Sequence, residues 1–219
     1  MTAAPCNIPH LGEVVHRPRL LDRLAGPSRI VLVTGQAAQG KTTLVADFLA
    51  GQGAVSRWFH LNRAASDHGV LFDLLYRGLE QEQSNSSQAA NPPHITLGSR
   101  KDLLRQIEIL TAAMDRCRGR ETGLNLILDD METLSPEGSA FGFIETLVGE
   151  APDHVRFFLL SRTLPPLNLS RFKMKKQLVA LTNQDLAFNR QEAAGFFRQP
   201  ADYDKQVFGE KAIDKILAI

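Results

Sequence analysis

The sequence predicts an α/β protein built on a mainly parallel sheet, and three observations predict it. Short β-branched or aromatic apolar runs alternate with longer segments of helical periodicity, the pattern of strands joined by helical crossovers. One such run, RIVLVT, leads directly into GQAAQGKT and then into an amphipathic segment. Another, LNLIL, ends in two consecutive aspartates, Asp129 and Asp130. A chain of 219 residues, 43% hydrophobic and 22% charged, is long enough to bury a full core.

In chain order, VVHRPRLLDRL (Val14–Leu24) reads as a short extended stretch followed by an amphipathic helix. Strands are expected at Arg29–Thr34, Arg57–Leu61, Leu124–Leu128, Val155–Leu160 and Gln177–Leu181. After the first strand, Leu44, Val45, Phe48 and Leu49 share one face of a helix that stops at Gly51. A second helix is expected over Val70–Glu80. In a third, between Arg100 and Arg118, Leu103, Leu104, Ile107, Leu110 and Met114 recur at helical spacing, and Gly119 ends it. Ser135 reads as the cap of the next helix, with Pro136 at its first position. Asn189 and Glu192 have the spacing of a capping box for a helix bearing Phe196 and Phe197. The polar stretch Glu82 to Ser99, with consecutive prolines, reads as a surface loop. Three regions are expected: residues 1–28 beside the core, a main domain over 29–200, and the start of a helical segment over 201–219.

Composition narrows the function. A formal net charge of +1 offers no basic footprint for nucleic acid or membrane. The two cysteines, Cys6 and Cys117, fit no metal spacing; they allow one disulfide at most and point to a reducing compartment. With no signal-peptide layout and no long apolar run, the expected location is cytoplasmic.

The chemistry lies in two motifs. Gly35-Gln36-Ala37-Ala38-Gln39-Gly40-Lys41-Thr42 matches G-x-x-x-x-G-K-[ST], the P-loop, between an apolar strand and an amphipathic helix. A loop wrapping a phosphate must turn several N–H groups inward, and glycines permit that geometry. The helix opening at Lys41 adds unpaired N–H groups and a positive dipole end. Lys41 is expected to reach the terminal phosphates of ATP or ADP, Thr42 to ligate Mg²⁺, and Thr43 to meet the α-phosphate. Asp129 and Asp130 follow their strand as a Walker B element does. Asp129 is assigned to the Mg²⁺ and Asp130 to orienting or deprotonating the attacking water, with Glu132 a second candidate. Arg162, at the C-terminal end of the fourth strand, is placed to sense a γ-phosphate, because ligands gather at that edge of parallel sheets. Val14 and Val15 could lie against an adenine, with Arg17 at its polar edge.

On VVHRPRLLDRL, LVTGQAAQGKTTL, RWFHLN, LILDDMETL and LLSRTLPPLNLSRFKMKKQLVALTNQDLAFNRQEAAGFF, the chain resembles the nucleotide-binding domain of STAND-class signal-transducing ATPases. Within that class it is most similar to the large ATP-dependent LuxR-type transcription regulators. The resemblance implies a P-loop NTPase three-layer sandwich with a five-stranded parallel sheet in the order 5-1-4-3-2. It implies a switch in which ADP holds a resting form while ATP and an inducer favour self-association. It places Arg17 in the adenine-proximal segment, Gly35–Thr43 in the Walker A loop, Asp129 and Asp130 in Walker B, and Arg162 as the sensor arginine. It also implies further modules after Ile219 that bind inducer and DNA. Two departures stand out: GQAAQGKTT where relatives read APAGFGKTT, and DDME where relatives read DD-x-H. The alternatives left open are an AAA-type or other P-loop ATPase not linked to transcription, a small-molecule kinase, and a module that binds nucleotide without turnover.

Overall fold

The central strands read as unbroken apolar runs because helices cover both faces of the sheet. The computed structural model describes residues 8–9, 12, 14–80, 92–93, 100–117 and 123–198. In order these form α1 (Pro18–Ala25), β1 (Ile30–Thr34), α2 (Lys41–Ala50), β2 (Val55–His60), α3 (His68–Glu80), α4 (Arg100–Cys117) and β3 (Leu124–Asp129). There follow α5 (Ala140–Glu150), β4 (Val155–Ser161), α6 (Ser170–Met174), β5 (Leu178–Leu181), α7 (Asn183–Leu186) and α8 (Arg190–Arg198). The five strands are all parallel in the order β2-β3-β4-β1-β5, which is the expected order read from the other edge.

Alternation along the strands sorts the core into two layers. Ile30, Leu32, Leu126, Leu128, Phe157 and Leu159 meet α3, α4 and α5 on one face. Val31, Val33, Ile127, Phe158 and Leu160 meet α1 and α2 on the other. The helix α1 uses Leu20 and Leu24, both fully buried, and begins with Pro18, whose missing N–H costs nothing at that position.

Three local expectations are corrected. The helix α3 starts at His68, before Val70, because the Asp67 carboxylate accepts from the N–H groups of Gly69 and Val70 at 2.8 and 3.2 Å. Leu104 on α4 is exposed, and the buried stripe runs through Ile107, Leu110, Met114 and Cys117. Ser135 does not cap α5. Its N–H donates to Ser66 Oγ at 2.8 Å and its carbonyl accepts from Gly138, so Ser135–Gly138 closes a turn and the helix begins at Ala140. The Asn189–Glu192 box is present in both directions: Glu192 N–H to Asn189 Oδ1 at 2.8 Å, and Asn189 N–H to Glu192 Oε2 at 3.0 Å. Gly119, Cys6, residues 201–219, the side chains of Phe196 and Phe197, and most of the 82–99 stretch lie outside the described residues.

Phe158 is fully buried on β4, its ring centroid 5.9 Å from that of Phe48 on α2. Phe158→Ala is expected to lower stability by about 3–5 kcal/mol, read as a lower urea midpoint at unchanged slope.

Candidate nucleotide site

Parallel pairing brings the C-terminal ends of β1, β2, β3 and β4 to one edge: Thr34 lies opposite Ser161, and His60 opposite Asp129. The Gly35 N–H continues the β1 ladder by donating to Ser161 O at 3.1 Å before the chain turns into the loop. A Cβ on Gly35 would stand 2.6 Å from both Gln39 Oε1 and Leu186 Cδ1, so glycine gives this strand end its close approach. Gly40 holds φ +75 as the cap of α2. Ala38 also holds a left-handed φ of 62. Glycine would adopt that conformation without strain. Gln39 braces the loop from within: its Oε1 accepts from Gln36 N–H at 2.8 Å. Asn183 Oδ1, from α7, accepts from the same N–H at 3.3 Å.

Gly35 is buried, Gln36, Ala37 and Ala38 are exposed, and Gln39, Gly40, Lys41, Thr42 and Thr43 are half-buried. Lys41 Nζ donates to the carbonyls of Gly35 at 2.7 Å and Gln36 at 3.0 Å, so the ammonium already lies over the loop. Thr42 Oγ1 donates to Asp129 Oδ2 at 3.0 Å, joining the start of α2 to the end of β3. Asp129 is buried, and burial pushes its carboxyl pKa up; the Thr42 hydroxyl opposes this and the neighbouring Asp130 charge adds to it. A divalent cation would offset both unfavourable contributions. This donor set of one hydroxyl and one buried carboxylate fits Mg²⁺, which takes few protein ligands.

Asp130 follows at φ 62, another left-handed residue without a glycine's freedom. Its carboxylate meets His60 Nδ1 at 3.4 Å. His60, Asp129 and Asp130 offer ligand atoms all within 4.8 Å of one another. Sequence reading passed over His60 and Asn183. The signal for His60 was its place at the end of the strand that pairs with the Asp129 strand; Asn183 had none, since only the fold sets α7 beside the loop. The Glu132 carboxylate, the second candidate for the water, pairs with Arg162, Oε1 to Nε at 2.7 Å, and accepts from Arg162 N–H at 3.0 Å.

Arg17 is buried, and its guanidinium donates to Leu186 O at 2.7 Å and Ala187 O at 3.2 Å, pairs with Glu192 at 3.4 Å, and lies 4.8 Å from the Phe188 ring centroid. Burial lowers its pKa, and Glu192 opposes that shift. Arg19 adds contacts to Asp185 O, Ala187 O and Glu192, and Arg23 pairs with Asp185. The N-terminal segment is thus clamped to the chain after β5, beside the loop.

A phosphate cradle at the end of β1, facing a carboxylate at the end of β3 in a parallel sheet, defines a P-loop nucleotide-binding protein. The chain belongs to the AAA ATPase domain family, which matches residues 18–160. It is similar to the HTH-type transcriptional regulator MalT of Cronobacter sakazakii, 30% identical over 194 residues, covering 85% of this chain and 20% of that protein. MalT of Klebsiella pneumoniae is 29% identical over 191 residues, with the same coverage. The chain thus spans about a fifth of the length of these curated relatives (20%). Among solved structures, the Walker-type ATPase paby2304 of Pyrococcus abyssi superposes with a TM-score of 0.53 at 12% identity, over 94% of this chain and 63% of that one. The Aeropyrum pernix ORC1 protein in complex with DNA gives 0.50 at 16% identity, over 80% and 45%. These two likenesses show the fold. Among the described residues no helix is long and apolar enough to cross a membrane.

Two predictions follow from the loop and the clamp. Ala38→Gly relieves a left-handed cost of about 1–2 kcal/mol against a chain-entropy cost of about 0.4–1 kcal/mol, so a net gain of about 0.5 kcal/mol is expected in urea unfolding. Asp185 is held down to about 2, from an ordinary 3.8, by the N–H of Thr182 first and also by Arg23. Its depressed pKa contributes stability that is full above 3.8 and lost as pH falls through 2. Asp185→Asn should therefore lower the urea midpoint at neutral pH, with the gap closing across that acidic window.

Proposed function

We propose that this chain is the ATP-binding, slowly hydrolysing switch domain of a transcriptional regulator, its ADP or ATP state setting conformation and self-association. One observation carries the reading: Thr42, Asp129, Asp130 and Arg162 lie at one sheet edge, in a chain 30% identical to a transcriptional regulator. In this reading the N–H groups of Gly35–Thr43 cradle the phosphates and Lys41 exchanges a loop carbonyl for a phosphate oxygen. Thr42 and Asp129 hold Mg²⁺, which when bound supplies positive charge against the phosphate oxygens. Asp130 orients the attacking water, exposed enough to meet solvent and kept at the edge by its own left-handed turn. Arg162 senses the γ-phosphate. Arg17 serves the base site indirectly, by fixing the segment that carries Val14 and Val15.

A switch needs the γ-phosphate to contact its two states unequally, since equal affinity shifts nothing. Inducer and DNA contacts are assigned to parts of such regulators other than this domain, in keeping with its net charge of +1. The second reading, a P-loop ATPase unconnected with transcription, is favoured by the family match and by the paby2304 likeness. It predicts steady turnover without retention of ADP, whereas the switch predicts slow turnover and tight ADP.

Thermal unfolding with Mg²⁺ and ADP, ATP or a slowly hydrolysed ATP analogue tests this. Ligand at about a hundred times its dissociation constant should stabilise the wild type by about 2.7 kcal/mol, and Lys41→Ala should abolish the gain. No nucleotide-dependent shift in the wild type would sink the proposal.

A further inference from the structure

We infer that Glu132 is a positioning residue for Arg162, aiming its guanidinium so that the site distinguishes a nucleoside triphosphate from a diphosphate. This rests on the reading of Arg162 as the γ-phosphate sensor.

Arg162 leaves β4 with its side chain 55% exposed, and a long exposed side chain samples many rotamers. Glu132 restrains it at two points. Oε2 accepts the Arg162 backbone N–H at 3.0 Å, and Oε1 pairs with Nε at 2.7 Å. Together these hold the side chain at its root and at the head. Engagement through Nε leaves the two terminal amino groups to an incoming oxyanion, the fork by which arginine reads phosphate.

The carboxylate is itself well held. Its side chain is only 17% exposed and it rides on a single 3-10 turn, Met131–Thr133. Met131 is fully buried, and Thr133 returns both its N–H and its hydroxyl to Asp130 O, at 3.0 and 2.8 Å. The turn begins at Asp130, so the residue assigned to the water and the residue that aims the arginine belong to one rigid unit. Both oxygens of Glu132 are engaged, which leaves the attacking water to Asp130.

Residue type decides the device. A neutral imidazole in its place would have one acceptor nitrogen and could not take the backbone N–H and Nε together. Glutamate takes both, and the pairing with Arg162 in turn neutralises the carboxylate, whose charge would otherwise repel the phosphates.

The test measures dissociation constants for Mg²⁺–ADP and for a slowly hydrolysed Mg²⁺–ATP analogue by calorimetry. The proteins are wild type, Arg162→Ala, Glu132→Ala, Glu132→Gln and the Arg162→Ala/Glu132→Ala double variant, each first shown to unfold cooperatively. Glu132→Ala is expected to weaken the triphosphate analogue about five- to tenfold while ADP changes less than about twofold. The double variant should lose no more than Arg162→Ala alone, the signature of residues acting through one group. If Glu132→Ala does not fold, Glu132→Gln carries the test; it keeps one acceptor oxygen and should fall between wild type and Arg162→Ala. A purely structural Glu132 would lower thermal stability or weaken both nucleotides equally, and that result overturns the inference. Tighter triphosphate binding on removing the carboxylate also overturns it, since Glu132 would then be restraining the arginine. If Arg162→Ala itself leaves the preference unchanged, the sensor reading fails and this inference with it. A loss in Arg162→Ala alone, with both Glu132 variants silent, overturns only the positioning role.

Discussion

Parallel pairing at the C-terminal ends of β1, β3 and β4 sets the height at which each functional group emerges. Thr34 is level with Ser161, and His60 with Asp129, so Gly35, Asp129 and Arg162 leave the sheet along one edge. Side chains alternate faces along a strand, and a slip of one residue would turn Val31 and Val33 toward the wrong helices. Burial of both faces therefore enforces the register, and the register enforces the site. The Thr42–Asp129 hydrogen bond and the Gly35–Ser161 bond exist because the core permits only this alignment.

The edge is also where local rules are broken. Ala38 and Asp130 hold left-handed conformations, and Asp129 keeps a carboxylate out of water. Such features persist only where the surroundings over-determine them. Here Gln39 spans the phosphate loop, and buried Met131 with the twofold bond from Thr133 pins the turn after Asp130. Among the described residues three non-glycine positions hold a left-handed φ; Ala38 and Asp130 lie at this edge, and Lys176 lies in the turn before β5.

A second constraint joins distant parts of the chain. Arg17, Arg19 and Arg23 reach α7 and α8 through carbonyls and the carboxylates of Asp185 and Glu192. Burial pushes the Glu192 carboxyl pKa up, but Arg19, the Asn189 N–H and Arg17 outweigh it and hold the group below its usual range. Removing Glu192 would leave the buried Arg17 guanidinium without its carboxylate, a costly loss. Any rearrangement of α7 and α8 must act on the N-terminal segment as well, and Asn183 carries the same coupling to the loop.

Local chemistry made much of this legible. Five apolar runs specified five strands, and Gly35–Thr42 and Asp129–Asp130 specified the two loops, because strand period, glycine freedom and charge after an apolar run are properties of neighbouring residues. The 3-10 turn that commits Glu132 to Arg162, the turn that displaces the start of α5 to Ala140, and the arrival of His60 beside Asp130 were decided only by the tertiary structure. Arg17 was placed from sequence in the segment beside the base; only the tertiary structure brings it the carbonyls of Leu186 and Ala187 and the Glu192 carboxylate as hydrogen-bond partners. A long charged side chain can satisfy itself with any acceptor the fold brings near, and which acceptor that is depends on packing between segments far apart in the chain.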